Sequence, residues 1–200
     1  MISSTHSIPA DRANTRRPAG FLAACAAVLA LCALLAASAS AAPAPVTAPG
    51  DPLDPRTYDP ESRLFLVAHA TGVQKYACQA DGTWLFTDPE ATLFKTTGAL
   101  KPIGSHFLNF ATGRPVWRFQ DGSSVEAART VGVPGGAGNI PLLLLQAVVT
   151  TAGADGDRLT RTGWVQRLAT SGGVAPTGAC TPGDTTAVPY ESDYLFWRGG

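Results

Sequence analysis

The sequence predicts a mainly β protein, a single domain built as an antiparallel β-sandwich or barrel with one short helical turn. Apolar and polar residues alternate in short runs after Tyr58, and Gly, Asp and Pro residues separate these runs about every ten positions. The 200 residues include 21 glycines and 16 prolines, and helical periodicity is sparse. Short strands joined by frequent turns are typical of sandwiches and barrels.

Residues 1–41 are predicted to be a signal peptide. Arginines precede an apolar run over residues 21–37, and Ala-Ser-Ala tripeptides then place cleavage after Ala39 or Ala41. The run is rich in alanine and only weakly apolar, so a signal peptide is favoured over a membrane anchor. The pair Arg16-Arg17 leaves open whether export follows the general or the twin-arginine route. We therefore expect a secreted or periplasmic protein with no stable membrane anchor after cleavage.

The rest of the chain has a near-neutral charge. Arg12, Arg16, Arg17 and Asp11 precede Ala42, which leaves 12 of the 15 Lys and Arg residues and 14 of the 15 Asp and Glu residues after cleavage. Such a balance lacks the basic footprint of a nucleic-acid-binding protein. Residues 42–57 are rich in Pro and Ala without periodicity, which predicts an extended linker before a β domain over residues 58–200.

The first predicted strands lie between residues 64 and 86. The run LFLVAHA (64–70) is a candidate strand, with a short helix as the alternative. The stretch VQKYACQADGTWLF (73–86) contains two alternating runs around an Ala-Asp-Gly turn, which predicts a hairpin. Alternation places Gln74, Tyr76 and Cys78 on one face of its first strand.

A helical turn and a second hairpin are predicted next. Asp88 suits the N-cap and Pro89 the first position of one helical turn. The stretch VWRFQDGSSVEAA (116–128) predicts a hairpin that turns at Asp-Gly and places Trp117 and Phe119 on one face. A flexible glycine-rich loop follows. Residues 140–149, IPLLLLQAVV, suit a buried strand and a short helix equally.

The last two predicted strands flank a glycine-containing corner. DRLTRTGWVQRLAT (157–170) alternates as a strand, so Gln166 and Arg167 lie on opposite faces. VPYESDYLFW (188–197) is the closing strand, with its tyrosines and Phe196 on one side. Between them, Gly172-Gly173 supplies the backbone freedom for a turn.

The cysteine count predicts one disulfide. Cys78 and Cys180 are the cysteines that remain after residue 41. Two cysteines in an exported protein usually pair, and the alternative is a pair of buried free thiols. A pair would join the Gln74–Cys78 strand to the glycine-containing corner.

Several chemistries lack the residues they require. The stretch GVPGGAGNIP fails the spacing of a nicotinamide-binding loop, and no P-loop is present, so no cofactor is predicted. His69 and His106 with Asp121 could form a metal site only on paper, and no metal is predicted. Ser123 could complete a triad with His106 and Asp121, but no nucleophile elbow surrounds it, and turn chemistry explains Asp-Gly-Ser better.

Seven ordered blocks of the sequence together resemble a known family. The blocks are GVQKYAC, DPEATLF, GSHF, DGSSVEA, IPLLLLQA, WVQRLATSGGVAPTGAC and VPYESDYLFW. The chain is similar, over roughly residues 64–197, to the secreted bacterial and fungal proteins grouped as DUF3455, which have no established activity. The sequence departs from the family pattern at two positions. The segment between GSHF and GRPVW (113–117) is longer than usual in the family, and Leu142 replaces a tryptophan.

The blocks that keep the family pattern contain a small set of polar residues, and these are the candidate site residues. The first hypothesis is a binding or structural module of the cell envelope, in which Gln74, Tyr76 and Trp117 would bind an extracellular ligand such as a glycan. The second is a cofactor-independent hydrolase with His106 and Arg167 as catalytic candidates, and a purely structural protein is the third. The hydrolase requires His106, Arg167, Gln74 and Tyr76 to converge in one open pocket.

Overall fold

Eight strands follow one another around a closed antiparallel barrel. The computed structural model of the protein describes residues 46–199, which fall within one compact unit. Each strand pairs with the next, and β1 pairs with β8, which closes the barrel. This confirms the predicted antiparallel β domain and decides for a barrel over a sandwich. In chain order the strands are β1 (Arg63–Cys78), β2 (Trp84–Phe94), β3 (Pro102–Asn109), β4 (Arg114–Phe119), β5 (Ser124–Val133), β6 (Leu142–Thr151), β7 (Thr162–Gly172) and β8 (Thr185–Arg198).

The predicted signal peptide, residues 1–41, lies outside the described residues. Within residues 46–199, no helix is both long and apolar enough to cross a membrane. The question left open over residues 140–149 is answered, because most of this stretch belongs to strand β6. The candidate strand over residues 64–70 and the hairpin strand after it form one continuous strand, β1.

The helical turn predicted at Asp88 and Pro89 is wrong, because both residues belong to β2. They pair with Lys75 and Gln74 of β1, while the ladder between β2 and β3 stops at Ala91. Pro89 lies beyond that ladder, so its missing backbone N–H costs no hydrogen bond to β3. The Asp88 carboxylate accepts a hydrogen bond from the backbone N–H of a β3 residue, at 3.0 Å, instead of capping a helix.

The helical turn of this protein lies earlier, at Pro55–Thr57. Asp54 is its N-cap and accepts from the N–H of Arg56, and proline occupies the first position. Residues 46–57 therefore differ from the extended linker predicted for them. Leu53 and Asp54 are buried, since they pack on the outer face of the barrel.

Gln166 attaches this N-terminal segment to the barrel wall. Its Nε2 donates to the Thr47 hydroxyl, at 2.9 Å, and to the Leu53 carbonyl, and its Oε1 accepts from the Trp197 indole at 2.7 Å. The segment also covers an apolar cluster on the outer face. That cluster consists of Leu53, Leu144, Trp164, Leu168, Leu195 and Trp197. Strands β7 and β8 are consequently buried on both faces.

The two ends of the barrel differ. The base, formed by connections 95–101, 120–123 and 152–161, is sealed by Leu159, which is fully buried in the interior core beside Phe119 and Phe196. The Ser123 hydroxyl holds this plug by accepting from the Leu159 N–H at 3.2 Å. The mouth is the opposite end, formed by connections 79–83, 110–113, 134–141 and 173–184.

A disulfide joins two of the mouth connections. Cys78, at the end of β1, is bonded to Cys180 in the β7–β8 connection, with the Cα atoms 5.8 Å apart. The predicted pair is confirmed. Gly172 and Gly173 have φ angles of 70° and 82°, which explains why glycines occupy the corner before this connection.

Candidate functional site

The mouth leads into a cavity of about 590 Å³, which we call the mouth pocket. Its wall is mainly apolar and aromatic, with a few polar side chains. The apolar lining consists of Phe86, Pro89, Leu108, Gly113, Pro115, Trp117, Ala127, Ala128, Ile140, Pro141, Leu143 and Leu145. The polar and amphipathic lining consists of Gln74, Tyr76, His106, Arg114, Arg129, Arg167 and Tyr194.

Aromatic rings form the deep end of the mouth pocket. His106 stacks on Trp117, with ring centroids 4.6 Å apart and planes 12° apart. Tyr194 packs against both, at 5.0 Å from His106 and 5.1 Å from Trp117. These residues come from β3, β4 and β8, and strand alternation turns all three side chains inward. The small residues Ala70 and Ala91 belong to the same interior core and leave room for the large rings.

His106 is a neutral side chain at physiological pH. Burial lowers its pKa to about 3, with the Arg167 charge adding to this effect and the Val116 carbonyl opposing it. Nδ1 lies 2.9 Å from that carbonyl oxygen, so Nδ1 carries the proton and donates. Nε2 is left as a hydrogen-bond acceptor, and no described residue donates to it.

Protonation of His106 is expected to destabilise the fold as the pH falls. The unfolded chain takes up a proton near pH 6.5, whereas the folded chain resists it down to about pH 3. Stability is therefore complete above pH 6.5 and falls through the window below it. Between pH 7 and pH 5 we expect His106 alone to lower the free energy of unfolding by about 2 kcal/mol.

Urea unfolding at pH 7 and pH 5 measures this effect. The matched variant is His106→Asn, whose amide nitrogen can still donate to the Val116 carbonyl but does not titrate. Comparing the pH dependence of the two proteins, instead of their absolute stabilities, removes the packing cost of the substitution. An equal pH dependence in both proteins would show that His106 titrates normally in the folded state.

Two further predicted residues lie at the wall near the β7–β8 corner. The Tyr76 hydroxyl donates to the Gly173 carbonyl at 2.6 Å, and burial raises its pKa. Gln74 is 3% exposed and lies beside Tyr190, yet its Nε2 makes no hydrogen bond of good geometry. An amide nitrogen buried without an acceptor is costly unless a ligand or water completes it.

Arg167 is half-buried in the same wall. Its Nε donates to the Pro141 carbonyl at 3.0 Å, and no described acidic residue pairs with it. Its neighbour Gln166 faces the opposite side of β7, as the alternation predicted.

All five predicted site residues therefore line one pocket. His106, Arg167, Gln74, Tyr76 and Trp117 come from four different strands and converge at the mouth. Their convergence meets the geometric requirement stated for the hydrolase only in part, because His106 and Gln74 are buried, at 3% exposed. Their roles in catalysis or binding stay predictions.

Several lining residues were not among the predicted ones. Arg129 and Leu108 are examples. The position of Arg129 could have been predicted from the alternation of side chains along β5. Val125 and Ala127 face the core, so continued alternation along β5 turns Arg129 to the same side.

The residues considered for a triad or a metal site are dispersed. Asp121 and Ser123 lie at the base, where the Ser123 hydroxyl donates to the carboxylate at 2.6 Å. His69 lies on the outer face of β1, with Nδ1 2.9 Å from an Asp193 oxygen. Among residues 46–199, no three His, Cys, Asp or Glu side chains are grouped so that they could hold a metal ion.

The four tryptophans do not share a surface. Trp117 lies inside the barrel, whereas Trp164 and Trp197 lie on the outer face under the N-terminal segment. Trp84 is half-buried at the start of β2.

The family assignment rests on a sequence comparison. The family model described as a protein of unknown function, DUF3455, matches residues 59–198. Comparison with curated proteins found no match, and neither did comparison with solved structures. The matched region contains every strand of the barrel and all residues of the mouth pocket. Because this match covers well over half of the sequence, the chain belongs to the DUF3455 family.

Proposed function

We propose that the protein is an exported binding module that holds a small organic ligand in the mouth pocket. The observation that carries this proposal is a cavity of about 590 Å³ at the open end of a barrel whose other end is plugged. Eight-stranded barrels have interiors wide enough for one small ligand, and cavities of a few hundred Å³ are typical of ligand sites. Export is supported by the signal-peptide pattern and by the disulfide.

The composition of the wall supports binding of an organic molecule. Apolar and aromatic side chains supply most of the lining, and a few polar groups are placed among them. Such walls bind through buried apolar area and orient the ligand with the polar groups. A glycan is the less favoured ligand, since Trp117 is 1% exposed and offers little ring area for sugar stacking.

A hydrolase is the second candidate, favoured by the convergence of His106, Gln74, Tyr76 and Arg167 in one pocket. Its weakness is the protonation chemistry. A histidine with a pKa of about 3 is a poor general base at neutral pH. The lining contains no Ser, Thr or Cys as a nucleophile, and burial raises the pKa of the Tyr76 hydroxyl.

Filling the mouth pocket is expected to abolish most ligand binding. Leu108 points into the pocket, so Leu108→Trp places a large ring where the ligand would lie. Losing about 60 Å² of apolar contact corresponds to roughly 1.5 kcal/mol, or about tenfold in affinity. The measurement is fluorescence titration with N-phenyl-1-naphthylamine, a neutral apolar dye.

The adjacent residue provides a matched control. Phe107 lies on the outer face of the same strand, against Arg118, so Phe107→Trp leaves the pocket unchanged. Its dye affinity is expected to equal that of the wild type. Equal losses in the two variants, or no dye binding by the wild type, would contradict the proposed pocket. Oligosaccharides that compete with the dye would support a glycan ligand, and turnover of ester substrates would support the hydrolase.

A further inference from the structure

We propose that the ligand of the mouth pocket is an organic anion, an apolar body that carries a carboxylate, and that Arg167 binds the carboxylate. This inference rests on the proposed binding function and names the class of ligand. It follows from the charges, the unsatisfied donors and the shape of the pocket wall.

The wall of the mouth pocket carries positive charge without matching negative charge. Three arginines line it, and no Asp or Glu is among its lining residues. Arg114 is neutralised by Glu126, at 3.4 Å. Arg129 and Arg167 have no acidic partner among the described residues. The pocket is thus left with two uncompensated cations, one exposed near its rim and one half-buried within it.

Arg167 is the cation placed to bind a ligand inside the pocket. It shares the pocket wall with His106 and Tyr76, and it pairs across the sheet with Tyr194. Because its Nε is already bonded to the Pro141 carbonyl, the two terminal nitrogens remain available. Two terminal nitrogens match the two oxygens of a carboxylate in geometry and charge. A half-buried cation without a counterion is costly, and a bound anion removes that cost.

The unsatisfied buried groups of the wall are also donors. Gln74 Nε2 and Trp117 Nε1 are buried and make no hydrogen bond of good geometry, although Gln74 lies beside Tyr190. Neither an amide nitrogen nor an indole nitrogen can accept a hydrogen bond. The Gln74 amide therefore adds a second donor for a ligand oxygen. His106 Nε2 is an acceptor in the same wall and suits a hydroxyl group on the ligand body.

The remaining wall selects the body of the ligand. His106, Trp117 and Tyr194 close the deep end of the cavity with tightly packed rings. Leu108, Leu143 and Leu145 supply apolar contact around the rest of it. An apolar body is what such a wall contacts best.

The test compares two probes of matched shape, an anion and its neutral amide. 2-Naphthoate and 2-naphthamide have the same ring system and nearly the same size, and only the first is an anion. Calorimetric titration of the full protein at pH 7 is expected to show naphthoate binding about tenfold to a hundredfold more tightly, the range expected of hydrogen bonds to a charged group. The preference is expected to fall as salt is added.

Variants assign the preference to one residue. Arg167→Gln is expected to remove the preference for naphthoate while leaving naphthamide affinity within about twofold of wild type. Arg118→Gln changes an exposed arginine on the outer face and is expected to preserve the preference. Circular dichroism establishes that each variant is folded. If Arg167→Gln does not fold, the comparison of the two probes on the wild type still tests the anion.

The outcomes separate this inference from the proposed function. The anion proposal is overturned if the two probes bind with equal affinity, or if folded Arg167→Gln keeps the full preference for naphthoate. Dye binding would in either case still support the pocket. Absence of dye binding together with absence of probe binding overturns both. If the preference for naphthoate persists in Arg167→Gln but is lost in Arg129→Gln, the anion binds at the rim, and the assignment to Arg167 is overturned.

Discussion

Replacing Cys78 and Cys180 together by alanine is expected to lower the free energy of unfolding by about 4 to 5 kcal/mol. The disulfide links residues separated by 102 positions, and in the chain-entropy model a loop of that length restricts the unfolded chain by this amount. Local contacts should keep the native corner in place without it. The Cys78 N–H donates to the Asp184 carbonyl at 2.8 Å, and the Cys180 N–H donates to the Gly82 carbonyl at 3.1 Å.

Guanidinium unfolding of the wild type and the double variant measures the loss. Wild-type protein kept reduced with dithiothreitol is the control, because it lacks the same covalent link while retaining both side chains. The reduced protein and the double variant are expected to agree in unfolding midpoint. A difference below about 1 kcal/mol between oxidised and reduced wild type would contradict the stabilising role. Two free thiols in the denatured, unreduced protein would disprove the bond itself.

The hairpins could be predicted because their signals are local. Gly82 and Gly122 each follow an aspartate and have φ angles of 78° and 81°, which L side chains rarely adopt. The closure of the barrel could not be predicted in this way. It depends on the pairing of β1 with β8, at opposite ends of the domain, and alternation assigns faces to a strand without naming its partner.

The misplaced helical turn shows how tertiary pairing overrides a local signal. Asp-Pro occurs four times in the sequence, and the pairs at 54–55 and 88–89 offer the same capping chemistry. At the first, the chain lies outside the sheet, and the turn forms. At the second, continuous pairing with β1 keeps the backbone extended. The two sites share the Asp-Pro pair and differ in their tertiary surroundings.

The candidate site could be predicted in part for a related reason. Alternation placed Gln74 with Tyr76 and separated Gln166 from Arg167, and the structure has both relations. Which face of β7 is interior could not be inferred, because both faces are buried. The N-terminal segment covers Trp164 and Leu168 on the outer face, so apolar residues occupy both sides of the strand.

Trp117→Ala is expected to lower the free energy of unfolding by about 3 to 5 kcal/mol, the cost of removing a large buried aromatic side chain. Trp117 is 1% exposed and lies between the core of the base and the mouth pocket. Its ring contacts His106, Tyr194 and Phe196, so its loss leaves a void that these rings can fill only in part. The void would also deepen the pocket.

Two variants separate packing from hydrogen bonding at this position. Trp117→Phe keeps an aromatic ring and removes the indole N–H, which has no acceptor, so it is expected to cost about 1 to 2 kcal/mol. Trp84→Ala, at the half-buried start of β2, is expected to cost clearly less than Trp117→Ala. Equal losses for Trp84→Ala and Trp117→Ala would contradict a central role for Trp117. Because the deepened pocket is wider, folded Trp117→Ala should bind dyes larger than the wild type accepts, which ties the packing of the barrel interior directly to the size of its ligand.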